Sequence, residues 1–439
     1  MSQSNNAAPG RKLNVYLCGV KTGELFEDDL LQLSFKYIDG APQKRDGAPQ
    51  KPGAVSKMRS VAPLSVRLPV RADVYPHAYA YPFFENLIPE GGAFEILTKD
   101  HASGNKVFSL LNRFGGDCAG AVAFYETAPD NKNKRPREIS PAEIAGIIDR
   151  LPQDPLLTGI DNKGSSGPVR LSLAGAQSKF AVYKSEGKYY RSEDKYPTTH
   201  IIKIANKRFP DLLKNELFCM KLAANILSGT PEVELMEADG RPYLEIKRYD
   251  RCIKNGNVVR IHQEDFCQAL GLVSGKKYQK GGGAKLKDCY MVINEFSENR
   301  LTDIIRFTEW IIFNYLIGNT DAHAKNLSLL HSDKGIRLAP FYDLLSTEVY
   351  PEKTVDHETA MLINGKGKYS SLRSRDFIAL FENLGQNSTN MMKTMKDKFR
   401  NIVPVAEKLR ENLLSEAISA KTSIYDGIIE LIKKRINYV

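Results

Sequence analysis

Gly318-Asn-Thr-Asp-Ala-His-Ala-Lys-Asn-Leu-Ser328 places an aspartate, Asp321, five residues before an asparagine, Asn326, directly after a strongly apolar run. Phosphoryl transfer from a magnesium nucleotide needs one carboxylate to orient and deprotonate the acceptor hydroxyl, and a nearby oxygen ligand for the metal. Asp321 and Asn326 supply that pair, and Pro340-Phe-Tyr-Asp343 adds a second hard oxygen ligand further on. Magnesium suits so sparse a set, because it keeps waters and completes its octahedron with phosphate oxygens. An Asp-x-x-x-x-Asn pair also arises by chance in solvated loops, so the order of the flanking motifs decides between the two readings.

The apolar run from Thr302 to Ile317 predicts a helix. Its Ile304, Ile305, Phe307, Trp310, Ile311, Ile312, Tyr315 and Leu316 lie on more than one face, as in a helix buried on most sides. Such a helix gives the following loop the rigid base that catalytic positioning requires. Upstream, Thr199-His-Ile-Ile-Lys203 reads as a β-branched strand ending in lysine. The helix starting near Asn215-Glu216 repeats Leu217, Met220, Ala224 and Leu227 at helical spacing. A strand lysine turned to a core needs a partner, which Glu216 offers; an exposed strand-end lysine is the alternative. Protein kinases hold the α- and β-phosphates with such a lysine–glutamate pair, and their catalytic loop carries Asp-x-x-x-x-Asn.

Ahead of that strand, the small residues Ala174, Gly175 and Ala176 let backbone N–H groups approach phosphates, with Lys179 adding charge. A tight turn before the strand Phe180–Tyr183 is the plainer reading. Ser185-Glu-Gly187 and Asp239-Gly240 predict hairpins. The strand returning through Tyr243 to Asp250 ends where a kinase crosses between lobes and offers its backbone to adenine. Beyond it lies a basic, glycine-rich stretch from Lys276 to Lys287, and the chain closes in helical runs at 391–403, 406–418 and 424–436.

At 439 residues the chain predicts two or three domains. Strands are expected at Leu13–Cys18 and Leu31–Tyr37, with turn chemistry at Gly19 and Lys21-Thr22-Gly23. Gly40-Ala-Pro-Gln-Lys44 recurs word for word at Gly47–Lys51, in a composition that cannot bury enough apolar area to order itself, which predicts a mobile basic loop. Phe108 to Val122 reads as helix, glycine turn and strand. Glu85, Glu90 and Asp117 read as turn and capping groups, and this first unit presents no catalytic constellation. A linker composition at 127–137 precedes Ser140-Pro-Ala-Glu143, a capping box opening a helix.

The first dozen residues lack the apolar run of a signal peptide and no window is long enough to span a bilayer, so a cytoplasmic protein is expected. Six cysteines without a Cys-x-x-Cys pair, and histidines without zinc spacing, predict reduced thiols mainly in cores. A formal charge of +10 makes an anionic partner plausible, whether nucleotide, nucleic acid or an acidic protein face.

In their joint order these words resemble the HipA family of bacterial toxin kinases, over nearly the whole chain from residue 13. The resemblance rests on Ser172-Leu-Ala-Gly-Ala-Gln, Thr199-His-Ile-Ile-Lys203, Arg248-Tyr-Asp-Arg251, Gln263-Glu-Asp265, Thr320-Asp-Ala-His-Ala-Lys-Asn326 and Pro340-Phe-Tyr-Asp343, with Phe84-Glu-Asn-Leu and Gly116-Asp-Cys-Ala-Gly-Ala in the first unit. It implies an α+β, two-lobed protein-kinase-like fold, with a β-rich N-lobe, an all-helical C-lobe and a small α/β N-terminal subdomain. The implied division is a tail at 1–12, the subdomain at 13–128 with an insertion at about 39–60, the N-lobe at 129–250 and the C-lobe at 251–439.

It further implies a serine/threonine protein kinase using ATP and Mg2+, with Asp321 as catalytic base and Lys203 binding the phosphates. Ala174, Gly175, Ala176, Gln177, Ser178 and Lys179 would cover the phosphates, and Lys247, Arg248 and Tyr249 would form the adenine hinge. His323, Ala324, Lys325 and Asn326 would contact the nucleotide, with Tyr342 beside them and Asn326 and Asp343 on the metal. Ser172 matches the family's self-phosphorylated serine, whose modification switches the kinase off; two added negative charges oppose phosphate binding by repulsion. Members typically phosphorylate an aminoacyl-tRNA synthetase and are neutralised by a helix-turn-helix antitoxin of the HipB type seated on operator DNA. Ser178 departs from the family's usual glutamate, and the repeated loop is an insertion. Two other classes stay open: a kinase-fold DNA-binding or corepressor protein without turnover, and a kinase of a small molecule.

Overall fold

The computed structural model describes residues 10–38, 62–98, 104–128, 136–152, 178–191, 196–205, 208–209, 211–416 and 422–439. The Gly40–Lys51 repeat and the segment from Ser172 to Gln177 lie outside the described residues.

The first unit is an antiparallel sheet with helices on it. Strands β1 (Arg11–Leu17), β2 (Val20–Glu27) and β3 (Leu33–Tyr37) are followed by helices α1 (His77–Glu85), α2 (Gly91–Thr98) and α3 (Lys106–Phe114), and β4 (Val122–Tyr125) returns beside β1 in the order β3-β2-β1-β4. Of the residues expected to turn, Gly19 does, whereas Lys21–Gly23 lie within β2. The chain reverses at Cys18-Gly19, and Gly23 pairs with Val15 inside β2. A Cβ on Gly23 would stand 2.5 Å from the Phe35 ring, so this glycine serves close strand packing.

Next come β5 (Arg137–Ile139), α4 (Pro141–Arg150), β6 (Lys179–Ser185), β7 (Lys188–Arg191), β8 (His200–Ile204), α5 (Leu212–Ile226), β9 (Val233–Ala238) and β10 (Arg241–Lys247). Their strands form one antiparallel sheet in the order β5-β7-β6-β8-β10-β9. The capping box expected at α4 is present: Glu143 N–H donates to Ser140 Oγ at 3.2 Å and Ser140 N–H to Glu143 Oε2 at 2.9 Å. Both expected hairpins form, with positive φ at Glu186 and Gly187 and at Asp239 and Gly240, as a type I′ turn requires.

Strand alternation then decides what each face meets. Ile202, Ile204 and Tyr243 join the core of the first unit, which runs continuously from Leu13 to this sheet. Leu244 and Ile246 face the other way, into a second core with α5 and the C-terminal helices. Lys203 pairs with Leu244 across the strands and so shares that second face.

The C-terminal region begins with β11 (Arg251–Lys254), β12 (Asn257–Arg260) and β13 (His262–Asp265), then α6 (Phe266–Leu270), α7 (Leu286–Phe296) and α8 (Arg300–Ile317). Strands β14 (Ser328–Ser332) and β15 (Gly335–Leu338) precede α9 (Ser374–Asn383), α10 (Ser388–Phe399), α11 (Ile402–Ser415) and α12 (Ile424–Arg435). The expectation of an all-helical lobe is therefore corrected in detail: the region is helical in bulk but carries a β11-β12 hairpin and a β13-β14-β15 sheet. That sheet has a positional role, because Phe266 N–H donates to Leu327 O at 3.0 Å and so clamps the end of the Gly318–Ser328 loop.

Helix α8 is buried on all sides from Phe307 to Ile317, Trp310 included, as its all-round apolar pattern predicted, whereas Ile305 in its first half is exposed. Gly318 ends it at φ 75°, in the left-handed region. A Cβ there would also meet the Arg435 guanidinium at 2.9 Å and the Glu348 carboxylate at 3.0 Å. Among the described residues no helix is long and apolar enough to cross a membrane. All six cysteines are free, and four of them are buried.

Candidate active site

A cavity of about 540 Å³ opens between the six-stranded sheet and the C-terminal helices, lined among others by Lys179, Lys203, Lys247, Tyr249, Asp321, His323, Asn326, Tyr342 and Asp343. Residues from five separate stretches of sequence thus face one space. Lys203 is buried, and its ammonium meets Glu216 Oε1 on α5 at 2.6 Å, so the exposed-lysine alternative falls away. The same ammonium also bonds to Asp343 Oδ1. Burial works against the charged lysine, but Asp343 and Glu216 outweigh it and raise its pKa. Burial likewise opposes ionisation of Asp343, yet Lys203 and Lys179 hold its carboxyl well below the usual range. Asp343 is therefore an anionic oxygen donor already seated against a cation.

Lys179, at the start of β6, reaches the same space from the sheet. Burial and the neighbouring Lys203 bring its pKa down to about 8. A buried ammonium beside a second ammonium, whose nearest carboxylates already pair with Lys203, is a group that an anionic ligand would stabilise.

The loop after α8 is held from several sides. Thr320 N–H donates to Thr347 Oγ1 at 2.7 Å, and Asp321 N–H to Asn319 Oδ1 at 3.2 Å. Asn326 Nδ2 donates to the Asp321 carbonyl at 3.1 Å, which ties the two ends of the five-residue spacing together and leaves the Asn326 side-chain oxygen as a donor for a metal. With Asp343, that makes two side-chain oxygens, a set sparse enough for magnesium. His323 is buried with its Nδ1 unpartnered among the described residues, and burial lowers its pKa, so it presents a neutral polar edge to the cavity.

At the end of β10, Arg248 N–H bonds to Thr199 O at 2.9 Å, and the next residue, Tyr249, stacks on Tyr342 with ring centroids 5.7 Å apart. Tyr342 is fixed in turn, its hydroxyl donating to the Lys325 carbonyl at 2.6 Å and lying 2.7 Å from Ser328 Oγ. Among the described residues no backbone partner meets the Tyr249 N–H or the Arg248 carbonyl, which leaves both for a planar heterocycle.

One of the expected nucleotide contacts, Ala324, is corrected, and two others, Arg248 and Lys325, line the cavity with their charged groups already paired. The Arg248 guanidinium is turned into a buried ionic cluster, making a bidentate pair with Asp250 at 2.9 and 2.7 Å. Only its backbone is left for the hinge. Ala324 is fully buried and is not among the residues lining the cavity. Lys325 lines the cavity together with the partners of its ammonium, Asn86 Oδ1 at 2.6 Å, Asp265 Oδ2 at 3.1 Å and Glu90 Oε1 at 3.2 Å. Of the expected phosphate loop, only Ser178 and Lys179 fall within the described residues; Ala174, Gly175, Ala176, Gln177 and Ser172 do not.

The first unit contributes more than its sequence suggested. Glu90, read as a turn group, enters the cavity and pairs with Lys277 at 2.8 Å as well as Lys325. Asp117, read likewise, is 1% exposed at the centre of the ionic cluster, with Arg251 Nη2 at 2.9 Å, Arg260 Nη2 at 3.3 Å, Arg248 Nη1 at 3.4 Å and Thr198 Oγ1 at 2.6 Å. Burial opposes its ionisation, and Arg251, Arg248 and Arg260 together hold its carboxyl well below the carboxylate range. Glu85 is no cap either: it accepts from Ser274 N–H at 2.8 Å, joining α1 to the loop after α6. Glu90 and Asp117 have these partners 81 or more residues away, so no local pattern could have revealed them.

Comparison with known proteins adds an independent line. A model of the HipA-like C-terminal domain matches residues 171–407, and one of the HipA N-terminal domain matches residues 51–125. A Sinorhizobium fredii protein named as a candidate kinase, Y4mE, is 37% identical over 78% of this chain and 79% of its own length. The serine/threonine-protein kinase toxin HipA of Shewanella oneidensis is 27% identical over 78% of this chain and 81% of its own. In fold, the chain is similar to HipA in a solved complex of the Shewanella oneidensis HipA, HipB and operator DNA, with a TM-score of 0.80, 24% identity, and coverage of 97% of this chain and 96% of that one.

Proposed function

This chain belongs to the HipA family of kinases, and we propose that it transfers the γ-phosphoryl group of ATP, with Mg2+, to serine or threonine of a protein, and that this arrests growth. The observation carrying the proposal is the meeting, in one cavity, of the Lys203–Glu216 pair and Asp343 with the Asp321–Asn326 loop. In this reading Lys203 grips the α- and β-phosphates, with Glu216 holding the ammonium in place. Lys179 adds a second cation over the phosphates. The adenine lies against the Tyr249–Tyr342 stack and bonds to the backbone between Lys247 and Tyr249. Asn326 and Asp343 hold the metal, and the magnesium ion, when bound, neutralises charge developing on the phosphate oxygens. Asp321 orients the acceptor hydroxyl and takes its proton.

The division of labour we propose follows the same lines: a subdomain at 13–128, an N-lobe at 129–250 and a C-lobe at 251–439. The acceptor we propose is an aminoacyl-tRNA synthetase, whose modification would stall translation. Ser172 is proposed as the site of self-inactivation. A HipB-like helix-turn-helix antitoxin, with operator DNA beneath it, is proposed as the partner; the HipB and operator DNA of the structurally similar Shewanella oneidensis complex support this. The place of work is proposed to be the cytoplasm. The presence of Asp321, Asn326 and Asp343 on one cavity supports turnover over a kinase fold retained without it.

Incubation with γ-labelled ATP and magnesium tests the reading. Wild type is expected to label Ser172, and Asp321→Asn to lose labelling while still binding nucleotide. Equal labelling of the two proteins would sink the catalytic assignment.

A further inference from the structure

The basic, glycine-rich stretch from Lys276 to Lys287 has no part in the reaction as described. In the fold it lies across the catalytic loop and is anchored at both sides of one residue. The Lys277 carbonyl accepts from Ala324 N–H at 3.3 Å, and its ammonium meets Glu90 at 2.8 Å. Gln279 N–H donates to the Ala360 carbonyl at 2.8 Å, and its side-chain oxygen accepts from Leu362 N–H at 2.8 Å. Between these anchors Tyr278 lays its ring edge-on against His323, centroids 5.3 Å apart, and donates its hydroxyl to Asp321 Oδ1 at 2.8 Å. Burial, and the charge and hydrogen bond of Asp321, raise the phenol's pKa, so at neutral pH the group is a donor.

A general base must stand within hydrogen-bond reach of the hydroxyl it deprotonates. That reach is where the Tyr278 hydroxyl now sits. The ring is partly exposed, so its outer edge is open to solvent.

We infer that Tyr278 fills the acceptor subsite of this kinase, that the serine or threonine hydroxyl of the acceptor binds by displacing the Tyr278 hydroxyl from Asp321, and that the Lys276–Lys287 loop is the acceptor-side wall. The inference rests on the proposed phosphoryl transfer. Lys276, Lys280, Lys285 and Lys287 are exposed on this wall, with Lys280 paired to Glu358, so the face offered to the acceptor is cationic and suits a segment carrying Asp or Glu. The chemistry stays that of the kinase. The incoming hydroxyl oxygen bonds to the γ-phosphorus, the bond to the ADP oxygen breaks, and the hydroxyl proton passes to Asp321, which Tyr278 has released.

The test is Tyr278→Phe, which keeps the ring on His323 and removes the competing hydroxyl. Single-turnover transfer from γ-labelled ATP to Ser172 is measured in wild type, Tyr278→Phe and Asp321→Asn, with a fluorescent ATP analogue reporting nucleotide affinity. Tyr278→Phe is expected to label roughly tenfold faster, the factor of one charge-assisted hydrogen bond no longer in competition, at unchanged nucleotide affinity. A purely supporting role for Tyr278 predicts the opposite sign. Labelling by Tyr278→Phe at the wild-type rate or slower overturns the inference and leaves the kinase reading standing, because Asp321→Asn stays silent. Labelling that does not depend on Asp321 instead overturns the kinase reading, and the inference with it.

Discussion

Replacing Asp117 by Asn removes one of two carboxylates from a cluster in which Asp117, Asp250, Arg248 and Arg251 are each nearly inaccessible, with side-chain exposures of 1%, 4%, 2% and 2%. Two negative and two positive charges balance there, with Arg260 at the rim at 12% exposure. Asparagine fits the space and can still accept from Thr198, so the packing and one hydrogen bond survive. What is lost is the charge that compensates two buried guanidiniums, and breaking such a pair costs about 3–5 kcal/mol. The retained hydrogen bond argues for the lower end, about 3 kcal/mol.

The pH dependence has a definite sign. The folded pKa of Asp117 lies below its unfolded value, so its contribution is complete above the unfolded pKa of about 4 and is lost as pH falls through the folded pKa. The gap between wild type and Asp117→Asn should therefore be constant from about pH 8 to pH 5 and shrink below about pH 4. Urea unfolding followed by circular dichroism and by the fluorescence of Trp310, the single tryptophan, gives the measurement. Trp310 reports the second core, so both probes are needed to follow both cores. A loss under about 1 kcal/mol, the range of an exposed pair, would refute the view that this cluster is a buried ionic joint.

Two further outcomes can be checked directly. With Lys179 at a pKa of about 8, phosphates bound beside it should draw a proton onto the amine, so nucleotide affinity should be flat below pH 8 and fall by about tenfold per unit above it; calorimetry at pH 8.5 in buffers of different ionisation heat should detect the uptake, and Lys179→Met should abolish it. Glu90→Gln leaves Lys325 with Asp265 as its only carboxylate and loosens Lys277, so the phosphoryl-transfer rate should drop by about tenfold with nucleotide affinity little changed, read in the same single-turnover assay.

Much of the site was legible because kinase chemistry is carried by short words with fixed internal spacing. Lys203 could be placed on a strand and Glu216 on the following helix from sequence pattern, and the cost of an unpaired buried ammonium made them candidate partners, with an exposed lysine as the alternative until the later motifs were counted. The capping box at Ser140 and the two hairpins were legible for a similar reason, since their partners are three residues apart or fewer. What sequence could not supply was any contact whose partners are far apart along the chain. Gly23 looked like turn chemistry because the ring of Phe35 above it is invisible locally. Glu90 and Asp117 looked like caps because Lys325 and Arg251 are distant. Tyr278 sat in a stretch whose composition suggested only a basic loop, and its meeting with Asp321 depends on the anchors at Lys277 and Gln279.

The backbone at Asp343 has a consequence for how this chemistry could be lost in descent. Its φ of 59° puts a side chain bearing a Cβ in the left-handed region, where asparagine and glycine are the residues most at ease. Both are one nucleotide away from either aspartate codon. A lineage no longer selected for transfer could therefore shed the carboxylate we propose for the metal in a single step while the turn that carries it stays undisturbed. Position 343 is where decay toward an inactive but well-folded descendant would meet the least structural resistance, and relatives with asparagine or glycine there are the ones to sort first when active members are separated from silent ones.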